Sequence, residues 1–367
     1  MSSRRHFLKQ LLVMGTLSGI TKGSYATKAD STKWIMPDES HPHERTWMAF
    51  GASKKIWGSE LLPRVQRDLA LIANTIVNFE PVSMLVRAEE VRKARQLLDP
   101  KVEIVICELD DLWIRDTGPV FVLNEQGEKA AIDFNFNGWG NKQTHLADAK
   151  VAEFVINQLG VTGLPTRLVS EGGCIEVDGL GTAIMTESCT LNANRNPGIA
   201  KSRFEDLIAP ILGVEKVIWL PGIRGMDITD GHTDFYARFA KPGVVLAGYE
   251  PDESHYDHQV TLRHLEILKS STEVKGRKLQ IILLEAPTNI RPRWLSDDFA
   301  SGYIGYYVCN NAVIMQNFGD KRADAAAKSA LQSVYPERTV VLLNVDGIAA
   351  GGGSIHCATQ QEPALVT

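Results

Sequence analysis

Four short polar blocks interrupt the apolar background of this 367-residue chain: DDLWIRDTGP (110–119), EGGCIEVDG (171–179), GMDITDGHTDF (225–235) and GGGSIHCATQQ (351–361). The last holds a cysteine, Cys357, among glycines and polar residues rather than in a core stripe. A nucleophilic thiol needs room for the attacked atom, backbone donors nearby and a means of favouring thiolate. Gly351, Gly352 and Gly353 supply bare backbone that a ligand could approach without meeting a side chain. His356 is adjacent to Cys357, but on a strand it would face the other way, so a supporting role is expected for it.

The base must then come from another block, and His232 is the best placed. His232 and Asp234 are two residues apart, which on a strand puts both on one face. The same block also allows a metal set, Asp227, Asp230, His232 and Asp234, and its Asp-Gly pair is a common turn former. Asp116 sits at a turn after Leu112-Trp113-Ile114, where it could act as a cap or face a ligand. Asp110 and Asp111 read as turn carboxylates, with Arg115 near enough to neutralise one. Glu171 precedes Gly172 and Gly173, which permit close backbone approach. Carboxylates, a His-x-Asp pair and a late cysteine together suit attack on a planar cationic carbon. Two carboxylates can hold a guanidinium through paired N–H···O bonds. Guanidine chemistry fits these charges best.

Helices and short strands must position those blocks. Apolar residues recur at helical spacing in 61–79, with Val65, Leu69, Ile72 and Ile76 on one face. Further amphipathic stretches run through 88–98, 147–159, 200–212, 258–268 and 322–334. Between them lie β-rich runs such as VSMLV, VEIVI, AIDFNF, TAIMT, KVIWL, GVVLAGY, LQIILLE and TVVLLNV. The alternation is that of an α/β protein with repeated strand–helix modules, and pattern alone allows either a doubly wound sheet or a propeller. No GxGxxG follows the first strand and no GxxxxGK[ST] occurs, which argues against those modes of nucleotide binding.

Composition narrows the partners. The formal charge of −5 disfavours nucleic acid as a ligand and suits a small cationic one. Cys107, Cys174, Cys189, Cys309 and Cys357 show no CxxC spacing, and Cys107, Cys174 and Cys309 read as small buried hydrophobes. Residues 1–26 read as a twin-arginine export signal: Arg4-Arg5, a short apolar stretch and a small-residue cleavage site. A short linker, 27–33, leads to a single catalytic domain, 34–367, and a periplasmic or secreted location follows. Removing residues 1–26 deletes Arg4, Arg5, Lys9 and Lys22 and no acid, taking the charge from −5 to −9.

As a set, MPDESHPHERTWMAF, DDLWIRDTGP, EGGCIEVDG, GHTDFYARF and GGGSIHCATQQ resemble the signature blocks of the agmatine deiminase family, which includes the bacterial peptidylarginine deiminase type. The likeness runs from Trp34 to Gln361 with the blocks in the family's order. It implies a five-bladed α/β propeller of ββαβ units with the site on its axis. It also implies Cys357 as nucleophile, His232 as general acid/base and Glu171 as its partner. Asp116 and Asp234 would grip the guanidinium, with Trp113, Gly352 and Gly353 lining the pocket. No metal or organic cofactor is implied. Agmatine is the first substrate to consider, and an arginine side chain or free arginine, yielding citrulline, is the alternative. A metal-dependent hydrolase and a silent binder of cations are the more distant classes. A homo-oligomer is allowed; no membrane partner is expected for the mature chain.

Overall fold

One local pattern recurs along the chain: a one-turn helix, an antiparallel strand pair, a longer helix, and a third strand parallel to the second. The computed structural model describes residues 32–294 and 299–365; the proposed export signal lies outside them. Among the described residues, strands form five separate sheets. In one, Glu176–Val177 runs antiparallel to Thr182–Thr186, which pairs in parallel with Lys216–Leu220. Two more repeat this order: Ala237–Lys241, Val244–Tyr249 and Gln280–Glu285; and Tyr307–Cys309, Ala312–Gln316 and Thr339–Leu343. The fourth places Trp34–Ile35 beside Val120–Asn124, Lys129–Ile132 and Thr162–Leu164. The fifth joins the two ends of the chain, because Gln360–Pro363 pairs antiparallel with His43–Ala49, ahead of Val82–Val86 and Glu103–Ile106.

The parallel step in each sheet requires a crossover, and a helix supplies it. Lys201–Leu212, His258–Ser270 and Lys321–Val334 bridge second and third strands, each with its apolar face inward. Leu212 is followed by Gly213 at φ 68°, a left-handed conformation that ends the helix without steric strain. At Asp320 the side chain accepts from the Ala323 N–H and caps the start of Lys321–Val334.

Six helical stretches read from periodicity are present within a few residues of their expected ends. The first, Lys54–Ile76, starts earlier than 61 and is broken at Gly58 (φ 65°, ψ −179°), with Pro63 inside its longer part. AIDFNF is strand only to Ile132; beyond it Asn135 takes φ 55°, and the chain leaves the sheet. None of the described helices is long and apolar enough to cross a membrane.

Candidate active site

The one-turn helices that precede the first strands carry the chemistry. Asp116 lies in Ile114–Thr117, ahead of Val120–Asn124. Glu171 caps Gly172–Cys174. His232 caps Thr233–Phe235, which holds Asp234. Cys357 is in His356–Ala358, ahead of Gln360–Pro363. Equivalent points of the repeat thus bring together residues far apart in sequence.

His232 is the hub. Its Nδ1 lies 3.7 Å from Asp116 Oδ1 and 3.9 Å from Asp234 Oδ1, and its Nε2 lies 3.5 Å from Glu171 Oε2. Cys357 Sγ lies 3.3 Å from Ser354 Oγ and 3.9 Å from Asp234 Oδ2. All five of these site groups are buried, His232 to 1% exposure and Glu171 to 0%. His232 and Asp234 do converge, but through a helical turn rather than a shared strand face.

A cavity of about 220 Å³ opens on this cluster, with Trp113, Asp116, His232, Gly352, Gly353 and Cys357 in its wall. The glycine run acts differently from the sequence expectation. A Cβ on Gly351 would fall 2.1 Å from the Trp57 ring, and one on Gly353 2.1 Å from the Trp113 ring. Glycine is required there so that two indoles can pack as cavity wall. Gly352 takes φ 83° between them. Gly173 is equally constrained, since a Cβ would meet His232 Nδ1 at 2.5 Å.

The charges are finely divided. Burial raises Asp116 to about 6, and the neighbouring Asp234 and Glu171 add to the rise against the pull of His232. Trp139 Nε1–H and the Gly173 N–H donate to its two oxygens at 3.0 and 3.2 Å. Burial also opposes charge on Glu171, yet His232 and Arg195 hold it down at about 2. Asp234 likewise stays below the ordinary carboxylate range despite burial, through His356, His232 and Arg238. Its Oδ1, although buried, makes no hydrogen bond among the described residues. For His232, burial works against protonation, while the Cys174 sulfur, Asp116 and the nearby Glu171 carboxylate raise its pKa well above normal. Burial, then Asp234 and Asp116, push the Cys357 thiol far up, so the resting nucleophile is a thiol.

Some neighbours of the site differ from the sequence reading, and others, such as Glu39 and Arg195, escaped it. Asp111 is no solvated turn carboxylate: it is buried in the cavity wall and accepts from Trp57 Nε1–H (2.7 Å), Gln143 Nε2–H (2.9 Å) and Trp113 Nε1–H (3.1 Å). Arg115 turns away from it to Glu39, at 3.1 Å. His356 bridges Asp234 and Glu39, and Arg195 grips Glu171 with Nε–H at 2.8 Å. The alternative metal set does not assemble. Asp230 is bound to Arg195, Lys142 and Asn194, and Asp227 accepts from the Thr229 and Gly231 N–H groups.

An α/β fold with a buried thiol, a histidine and two acids around one cavity is that of the deiminases. Residues 35–363 match the family model of the Porphyromonas-type peptidyl-arginine deiminases. The agmatine deiminase of Pseudomonas aeruginosa is 35% identical over 352 residues, covering 90% of this chain and 95% of that protein. The solved agmatine deiminase of Enterococcus faecalis superposes with a TM-score of 0.85 at 31% identity, over 91% of this chain and 97% of that one. An agmatine deiminase from C. jejuni, 22% identical with a TM-score of 0.80 over 92% and 98% of the chains, shares the fold. The chain belongs to this family, the one that contains the agmatine deiminases.

Proposed function

We propose that the chain hydrolyses the guanidinium of agmatine to N-carbamoylputrescine and ammonia through a covalent intermediate on Cys357. The observation that carries this is the unpartnered Asp234 Oδ1, on a buried carboxylate beside Cys357 and on the same side of His232 as Asp116. A buried carboxylate oxygen without a donor is costly, and a flat cation with several N–H groups relieves it. The named activity of the relatives supports the substrate.

Docking of the cation offsets the two carboxylates that keep the Cys357 thiol protonated, so thiolate forms as substrate binds and its proton leaves to solvent. Sulfur then adds to the guanidinium carbon, with Asp116 and Asp234 bonded to its nitrogens. His232, held cationic by Glu171, gives a proton to one nitrogen, ammonia departs, and a thiouronium stays on Cys357. Water enters in place of ammonia, His232 takes its proton as it attacks, and collapse frees the ureido product and the sulfur. Trp113 and Trp57 exclude bulk water from one side, with Gly353 and Gly351 packed behind them.

Five sheets that each contain an antiparallel pair followed by a parallel strand, and the pairing of Gln360–Pro363 with His43–Ala49, support a five-bladed propeller with these one-turn helices at its axis. The Arg4-Arg5 segment supports export of the folded chain to the periplasm. A second substrate reading, a peptidyl arginine, is favoured by one feature. A further cavity of about 320 Å³ shares Ile228, Phe235, Gly351 and Gly352 with the first and adds Glu250 and Asp257. Ammonia release from agmatine, free arginine and an arginine-containing peptide, measured side by side, tests the proposal. Agmatine should lead in kcat/KM; a lead for the peptide selects the second reading, and indifference to all three removes both.

A further inference from the structure

Behind His232, on the side away from Asp116 and Asp234, stand two cysteines that the deimination steps leave unused, packed against the Glu171 carboxylate. Cys174 Sγ and Cys189 Sγ are 2.8 Å apart, and Glu171 Oε2 lies 3.1 Å from the first and 3.6 Å from the second. His232 Nε2 is 3.5 Å from the same oxygen. One ligand atom from each of these four residues falls within 4.8 Å of every other, and all four side chains are buried. A second observation is independent of that clustering. His232 Nε2 is a fully buried ring nitrogen that aims into the group and makes no hydrogen bond among the described residues.

We infer that Cys174, Cys189, Glu171 and His232 form a binding site for a soft divalent cation of the zinc class, and that its occupation blocks the enzyme. Two thiolates, an imidazole and a carboxylate in tetrahedral reach are a donor set that zinc prefers, with about 2.3 Å to sulfur and about 2.0 Å to nitrogen. Two thiolates on one such ion stand about 3.8 Å apart, so the sulfurs part by about 1 Å to admit it. Both thiol protons, and the proton on His232 Nε2, leave to solvent as the metal binds. Charge then balances: the divalent ion and Arg195 on one side, two thiolates and Glu171 on the other. A buried cluster without net charge avoids the desolvation penalty that an unbalanced one would carry.

The consequence for catalysis rests on the proton role proposed for His232. With a metal on Nε2 the neutral ring keeps its only proton on Nδ1. That nitrogen, facing Asp116 and Asp234, then has no lone pair to take a proton from water. Binding itself does not depend on that role, so the two are separable.

Cadmium is the probe, because cadmium–thiolate bonds absorb in the ultraviolet where thiols do not. Full-length reduced protein, incubated with one equivalent of cadmium and desalted, should retain one ion per chain, show the thiolate band and lose deimination, with recovery on adding chelator. The Cys357→Ser variant should keep both ion and band, and the Cys174→Ala/Cys189→Ala variant should lose both. If that double variant fails to show native circular dichroism, Cys189→Ser replaces it, with an expected loss of affinity of at least tenfold. Failure of the parent to bind, a band that needs Cys357, or two thiols missing because Cys174 and Cys189 are joined, overturns the site and leaves His232's role intact. Stoichiometric cadmium with undiminished turnover overturns the block and, with it, the proton role of His232.

Discussion

His356 Nδ1 lies 2.7 Å from Asp234 Oδ2, although the two residues are 122 positions apart in the chain. The opposite ring nitrogen is 2.8 Å from Glu39 Oε2, and Glu39 in turn takes Arg238 at 2.8 Å and Arg115 at 3.1 Å. One imidazole therefore aims the carboxylate that faces Cys357, backed by a buried network of Glu39, Arg115 and Arg238. Replacing it with leucine removes the ring that links the two carboxylates and the one N–H that its neutral form gives to one of them. His356→Leu should raise KM for agmatine more than it lowers kcat, and lower the unfolding free energy by about 1–3 kcal/mol. Steady-state kinetics with thermal denaturation check both; an unchanged KM would remove His356 from substrate positioning.

Arg195 does a comparable service for Glu171. Both side chains are fully buried, and Arg195 also reaches Asp230 at 2.9 Å. Removing the cation leaves Glu171 charged in the interior without its closest partner, with His232 still 3.5 Å away. Arg195→Leu is expected to destabilise the fold by about 3–5 kcal/mol, read as a fall in denaturant midpoint. Arg195→Lys, keeping charge but losing the fork, should fall between the two.

The acid side of the pH profile belongs to Asp116. Burial raises its pKa to about 6, so below that pH the free enzyme holds a neutral acid where the cation needs an anion. kcat/KM for agmatine should fall about tenfold per pH unit below about 6. Bound guanidinium favours the ionised acid, so the limb in kcat should lie at lower pH than the limb in kcat/KM. Identical acid limbs in the two profiles would contradict this assignment.

Backbone at 351–353 sets the wall. The methyl of Gly353→Ala would overlap the Trp113 ring, which must then tilt into or away from the cavity. Misplacement of about 1 Å in such a site lowers kcat/KM by about 100-fold. Gly160→Ala, far from the site at a helix end (φ 64°), should cost stability alone. Comparing the two variants separates a catalytic effect from a general one.

Much of this was legible before any coordinate. VSMLV, TAIMT and KVIWL coincide with strands to the residue, because β-branched and apolar runs in buried sheets leave little choice. Strands such as His43–Ala49 and Gln360–Pro363 did not stand out, since charged and polar side chains such as Arg45, Glu362 and Gln361 find partners only across the fold. The reacting residues were found through their polar blocks. Of their supports His356 was singled out for a supporting role, but Glu39 and Arg195 were not, because they look like ordinary surface residues until the fold buries them. Even the glycine run, taken as room for a ligand, proved to be room for Trp57 and Trp113. A subtler signal was present: the one-turn helices at Ile114–Thr117, Gly172–Cys174, Thr233–Phe235, Tyr303–Gly305 and His356–Ala358 each lead a sheet, and four of the five carry or adjoin a site residue.

The most direct test of the account is ammonia release from agmatine by the parent chain and by Cys357→Ser, with product analysis. The parent should yield one ammonia and one ureido product per agmatine. The variant should fold natively and turn over about 10⁴-fold more slowly or not at all. A natively folded Cys357→Ser that keeps a rate within tenfold of the parent would contradict covalent catalysis by this thiol.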